Sequence, residues 1–232
     1  MSISATLDSV TPQLTSVPMF ADLSAESLRT LADIVTVQRF AKGSPIISRD
    51  EVGTCMYLLT AGRVRVSIAG PDDKELVLDF LEAPAHFGEM SLVDAQCRSA
   101  DVIAVTDVEV LALEGHDLSA VIQVQPRLAL NLIATLSRRL RSTIGRLEDL
   151  AFHDATHRVM RVVLNVATAG FETRGVPVVQ GMTHYDIAML AGTSRETASR
   201  VISQLTHEGI IVPKGRRLTV KLSELSERLE RE

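Results

Sequence analysis

At 232 residues the chain suits one large or two modest domains, and 46% hydrophobic residues can bury a real core, while 23% charged is ordinary. A net charge of −5 excludes a generally basic nucleic-acid binder, yet the charge is unevenly placed: residues 1–151 hold 13 Lys+Arg against 20 Asp+Glu, residues 152–222 hold 9 against 5, and residues 223–232 hold 2 against 4. No run of about 18 apolar residues and no leader pattern is found, so a cytoplasmic protein without a membrane span is expected.

Residues 1–16 are rich in Ser and Thr without periodicity and predict a frayed arm. Phe20–Leu31 reads as a short capped helix. From Ile34 to Leu113 short β-branched runs follow: Val35–Val37, Pro45–Ile47, Met56–Leu59, Arg63–Ile68, Leu76–Phe80 and Val108–Leu113. Turn signals recur at Gly43, Gly53, Gly62 and Gly70, which predicts an antiparallel barrel or sandwich. Cys55 and Cys97 are too few and too far apart for a disulfide framework or a metal site.

One segment inside this β region differs, Phe87-Gly88-Glu89-Met90-Ser91-Leu92 leading to Arg98-Ser99-Ala100. Gly88 can bring backbone N–H groups close to a ligand, and a short helical turn after it would add more. Glu89 can accept bonds from hydroxyls, and Arg98 can fork a phosphate. That inventory suits a nucleotide monophosphate; Glu89 and Arg98 suit a structural ion pair as well.

Pro126 opens a long helix, Arg127–Phe152, in which Ala129, Ile133, Leu136, Leu140, Ile144, Leu147 and Ala151 form a heptad seam on a rod of roughly 38 Å. Such a seam suits a two-fold dimer, or a helix packed only on its own β domain. The chain breaks at Ala151–Asp154, where Asp154 can cap a helix Ala155–Ala169, so Phe152 and Asp154 are the candidate hinge. His153 and His157 are four apart, but nothing else in sequence completes a ligand set, and no metal is expected. Thr168–Gly181, with three Gly and one Pro, predicts a loop.

His184–His207 then reads as helix, turn, helix. Gly192 can take positive φ, and Thr193 or Ser194 can cap the second helix, whose apolar stripe is Ala198, Val201, Ile202 and Leu205. Its other face, Glu196, Ser199, Arg200 and Ser203, mixes groups that read base edges in a major groove. Glu196 also stands at a capping-box distance from Thr193, and an αα-hairpin without DNA is the competing reading. Gly209–Val212, the basic stretch Pro213–Arg217 and Leu218–Val220 read as a hairpin wing, with Lys214, Arg216 and Arg217 available to phosphate. A Walker loop, GxSxG, HExxH and a strand-linked GxGxxG are all missing, so an enzyme is not expected.

Taken together, FGE…RSA in a β region, RRL…LAF-x-D ending a long helix and TSRETASR in the second helix resemble the bacterial cyclic-AMP receptor protein (Crp–Fnr) superfamily over nearly all of the chain. The resemblance implies an α+β protein. Residues 17–125 would form an N-terminal antiparallel β-roll, a cyclic-nucleotide-binding jelly-roll. Residues 126–152 would form the dimerisation helix, and residues 153–232 a C-terminal winged helix-turn-helix. It implies effector binding by Gly88, Glu89, Met90, Ser91, Arg98, Ser99 and Thr143, with cyclic AMP as the effector. It also implies DNA contacts from Thr193, Ser194, Arg195, Glu196, Thr197, Arg200 and Lys214 on a palindromic TGTGA-like site. The implied protein is a homodimeric transcription regulator with double-stranded DNA and RNA polymerase as partners. Ile144 stands where the family usually has Ser, and the Glu89–Arg98 loop is slightly short. A different effector, such as cyclic GMP or cyclic di-GMP, or effector-independent DNA binding is therefore the alternative. Residues 1–54 contain no Cys, which excludes the family's iron–sulfur branch.

Overall fold

The computed structural model of the protein describes residues 7–20, 23–71, 74–215 and 217–231. By packing, the chain divides after Leu140. In the first unit, α1 (Leu7–Ser16) is followed by a 3-10 turn at Pro18–Phe20 and by α2 (Ala25–Ile34). The expected frayed arm is therefore wrong over Leu7–Ser16, and Met1–Thr6 lie outside the described residues. Val10, Leu14 and Val17, four and three apart, are buried in one cluster with Phe20 and Leu31, and the Ser and Thr between them hid that spacing. The helix expected from Phe20 starts instead at Ala25, because the Ser24 hydroxyl accepts from the Ser27 N–H and fixes the N-terminus.

The strands are β1 (Thr36–Phe40), β2 (Pro45–Ile47), β3 (Cys55–Ala61), β4 (Arg63–Ala69), β5 (Glu75–Glu82) and β6 (Ala85–Phe87). A short helix α3 (Met90–Asp94) precedes β7 (Asp101–Ala104) and β8 (Val108–Glu114), and α4 (Gly115–Val124) leads to α5 (Arg127–Phe152). Two antiparallel four-stranded sheets result, ordered β1-β8-β3-β6 and β2-β7-β4-β5. The first has both faces covered. Val108 and Val110 of β8 meet Ile47, Val64 and Phe87 between the sheets, while Leu111 and Leu113 join the helical cluster on the other side. This two-sided burial is why Val108–Leu113 reads as a continuous apolar run rather than an alternation. On α5, Leu128 and Leu132 are buried in the helical cluster and Leu136 packs partly against it, each full burial stabilising by about 1.5–3 kcal/mol. Leu136 therefore leaves the expected seam, whereas Ile133, Leu140, Ile144 and Leu147 remain exposed.

The second unit contains the rest of α5 and α6 (Ala155–Arg174), β9 (Val178–Gln180), α7 (His184–Ala191), α8 (Arg195–His207), β10 (Ile211–Lys214), β11 (Arg217–Val220) and α9 (Leu222–Glu230). Asp154 caps α6 as expected, its carboxylate accepting from the His157 N–H at 2.9 Å. The loop expected over Thr168–Gly181 is mostly regular: α6 runs on to Arg174, and β9 pairs antiparallel with β11. Gly170 explains the difference. A Cβ there would lie 2.5 Å from the Val178 carbonyl oxygen, so this glycine admits a neighbouring backbone instead of ending the helix. Val159, Met160, Val163, Ile187, Ala198 and Leu205 are among the side chains that close the unit's core.

Candidate functional site

Two groups of residues stand out, one in each unit. In the first, Gly88 follows β6 with φ +80°, and a Cβ there would sit 2.8 Å from Arg98 Nη1 and 3.0 Å from Ile47 Cδ1. At Gly53 a Cβ would lie 2.4 Å from the Arg98 guanidinium and from Ser91 Oγ. Two glycines thus leave room for one buried arginine. Arg98 donates through Nη1 to the Gly88 carbonyl at 2.6 Å and to Ser91 Oγ at 2.9 Å, and through Nη2 to the Cys55 carbonyl at 2.6 Å. The turn expected after Gly88 is α3. Its Ser91 is buried, whereas Met90 is exposed and its sulfur accepts from the Ser99 hydroxyl at 3.8 Å.

Glu89 does not pair with Arg98, which corrects the ion-pair alternative. Its Oε1 accepts from Arg139 Nη1 at 2.5 Å, and Arg139 Nη2 donates to the His86 carbonyl at 2.5 Å. The carboxylate is 1% exposed, yet its Oε2 has no hydrogen-bond partner among the described residues. An orphaned buried oxygen of this kind costs free energy until a donor reaches it. The neighbouring His86 ring is held down to about 4, first by burial and then by the Arg139 and Arg138 charges. One carboxylate with a free lone pair beside an arginine framed by glycines offers a hydroxyl acceptor and an anion donor in one place. Thr143 is exposed on α5.

In the second unit, Thr183 caps α7 in a reciprocal box with Asp186, and Gly192 ends it at φ +58°. Ser194, not Thr193, caps α8, its hydroxyl accepting from the Thr197 N–H at 3.2 Å. The stripe Ala198, Val201, Ile202 and Leu205 is buried as its spacing predicts. Arg195, Glu196 and Arg200 are exposed on the outer face, Thr193 and Thr197 are half-buried, and Ser199 holds His184 Nδ1 at 3.1 Å. The Glu196 carboxyl lies below its ordinary range because its own backbone N–H and then the Ser194 hydroxyl bond it. Part of its charge thus serves the helix start, the role the capping reading gave it, with Ser194 as the partner. Lys214 and Arg217 flank the tip of the β10–β11 hairpin and are exposed, while Arg216 lies outside the described residues. At the candidate hinge, Phe152 is 81% exposed. Arg158 beside it donates to the carbonyls of His153, Ala191 and Gly192 at 3.0, 2.8 and 3.2 Å, tying the end of α5 to the turn before α8.

Residues 37–125 match the family described as "Cyclic nucleotide-binding domain", and residues 157–227 match the "Crp-like helix-turn-helix domain". The "Cyclic AMP receptor protein" of Thermus thermophilus is 37% identical over 84% of this chain and 88% of its own. The chain belongs to the Crp–Fnr family. Its members are transcription regulators and not enzymes. The "cAMP-activated global transcriptional regulator CRP" of Escherichia coli O157:H7 is 30% identical over 79% of this chain and 89% of its own. Among solved structures, the Thermus thermophilus catabolite activator protein is 35% identical, covers 91% of this chain and 97% of its own, and has a TM-score of 0.54. The c-di-GMP responsive regulator CLP of Xanthomonas campestris shares the fold, with 22% identity, 85% and 99% coverage and a TM-score of 0.67.

Against this Crp–Fnr frame, Gly88, Glu89, Ser91 and Arg98 share one cradle, with Met90 and Ser99 on its exposed side. Sequence reasoning missed Gly53, noted only as a turn, and Arg139. It also missed Arg158. Among the described residues no helix is long and apolar enough to cross a membrane.

Proposed function

We propose that this Crp–Fnr regulator is a cytoplasmic homodimer that binds cyclic AMP in the Gly88–Ser99 cradle and reads a palindromic TGTGA-like DNA site with α8. The observation that carries the effector reading is the buried, unpartnered Glu89 Oε2 beside Arg98. A ribose hydroxyl would complete the carboxylate, and a cyclic phosphate would face Arg98 and Ser99. A second copy of the chain is the natural cover for Ile133, Leu140, Ile144 and Leu147, which α5 leaves exposed at seven, four and three residues' spacing. On DNA, Arg195 and Arg200 suit guanine edges, Glu196 suits cytosine, Thr193, Ser194 and Thr197 lie at the helix start, and Lys214 suits a phosphate. Effector binding would shift the balance between two arrangements about Phe152 and Asp154, a coupling typically worth about 1–3 kcal/mol. RNA polymerase is the expected partner at the promoter.

Ile144 supports a second reading with another effector, such as cyclic GMP or cyclic di-GMP, or with none. An apolar side chain replaces the Ser usual in the family at this position. Calorimetric titration with cyclic AMP, followed by DNA binding with and without it, tests both. Saturation at one molecule per chain with strengthened DNA binding is expected. The absence of heat at two temperatures, with DNA binding intact, would replace cyclic AMP with the second reading.

A further inference from the structure

We propose that the helix break at the candidate hinge carries a binding site for a divalent first-row transition ion, made by Asp149, His153 and His157. One donor atom from each of the three lies within 4.8 Å of the others. Asp149 belongs to the last turns of α5, His157 to the first turn of α6, and His153 to the break between them. Two imidazoles with one carboxylate form a donor set typical of zinc, cobalt or nickel, and three protein ligands leave positions for water. Bonds of about 2.0–2.1 Å at tetrahedral angles place donors roughly 3.3 Å apart, so the set must close by up to about 1.5 Å to share one ion.

The surroundings fit that use. The His153 and His157 rings lie parallel, 3.8 Å between centroids and 7° between planes, so the two imidazoles are already neighbours, and one must turn for both lone pairs to meet a single ion. His157 is 4% exposed, and Arg161 Nη2 stands 3.4 Å from its Nε2. Arg161 Nε is 3.7 Å from Asp149 Oδ1, an ion-pair separation too long for a hydrogen bond. The Asp149 side chain is 15% exposed and, among the described residues, has no closer cation. Two stacked imidazoles and a guanidinium therefore gather round one loosely held carboxylate. A divalent ion would bind all three ligands at once, with Arg161 moving aside. The backbone already holds the ligands in place. The His153 N–H donates to the Asp149 carbonyl at 3.1 Å, Asp154 anchors the His157 N–H, and Arg158 holds the His153 carbonyl. Ligands on both sides of the break mean that a bound ion would cross-link α5 to α6.

The full-length protein titrated with Co2+ and followed by its visible ligand-field absorption tests the site. One ion per chain is expected, in a low-coordinate geometry with imidazole ligands, and displaced by Zn2+. His153→Ala removes an exposed side chain, and Asp149→Asn keeps the shape of its own. Both are expected to weaken binding by at least about tenfold while the circular dichroism stays unchanged. No low-coordinate cobalt spectrum in the wild-type protein would overturn the site. So would a spectrum that survives His153→Ala, which would place the ion on other histidines such as His116.

Discussion

The cradle of the first unit keeps its charges buried and, except for Glu89 Oε2, already bonded: Arg98 is 8% and Glu89 1% exposed, with Gly88, Ser91 and Cys55 holding one and Arg139 the other. The face proposed to read DNA in the second unit leaves Arg195, Arg200 and Lys214 exposed, and the side chains of Arg200 and Lys214 enter no ion pair among the described residues. The difference follows from solvent. A buried charge without a partner is expensive, so a small-ligand site must be organised before its ligand arrives. A charge in water needs no such support and keeps its bonding capacity for phosphate and bases. Substitutions in the cradle should therefore cost stability and binding together, and those on the reading face should cost binding alone.

Arg98→Ala tests the first half with the largest effect. Nucleotide affinity should fall beyond detection, and three acceptors left without their donor should lower stability by roughly 2–4 kcal/mol. Calorimetry and urea unfolding read the two losses, and a variant that binds normally would break the comparison. His86 gives the next effect. Its ring titrates at about 4 in the fold against 6.5 outside it, so the unfolded chain binds the extra proton first as pH falls. The His86 contribution to stability should be full above pH 6.5 and decline through the window down to about 4, a loss of about 3 kcal/mol from this group. Urea midpoints across that range check this, and His86→Gln should flatten the profile.

On the reading face, Arg195→Ala should cost about 1–3 kcal/mol at one guanine and leave the unfolding midpoint where it was, a result binding to single-base operator variants would show. Lys214→Ala should be milder, weakening all sequences alike and reducing the salt slope by about 0.9. A loss confined to one sequence would move Lys214 from phosphate to bases.

What could be read from the sequence follows the same divide. The periodic elements were legible, β4 by its alternation, α5 by its seam and α8 by the stripe Ala198–Leu205, because each signals through its own residues. The strands β6 and β7 were not, since three or four residues have too little period and owe their place to β3 and β4. Gly88, Glu89 and Arg98 form a local motif and could be picked out. Gly53 reaches Arg98 only through the sheet, and nothing in Arg138-Arg139-Leu140-Arg141 says which guanidinium turns inward. Asp149 was not grouped with His153 and His157 for a related reason. Their spacing crosses a helix break, where a helical period has no authority.

The packing boundary after Leu140 falls inside α5, a helix continuous from Arg127 to Phe152. One helix thus shares its packing between two units. Amide exchange should step along it, with the turns around Leu128 and Leu132 reporting the unfolding of the β-sheet unit, and those from Arg141 onward sharing the protection of α6 and the helix-turn-helix. A single rod would then carry two clocks, and an agent that slows one need not slow the other.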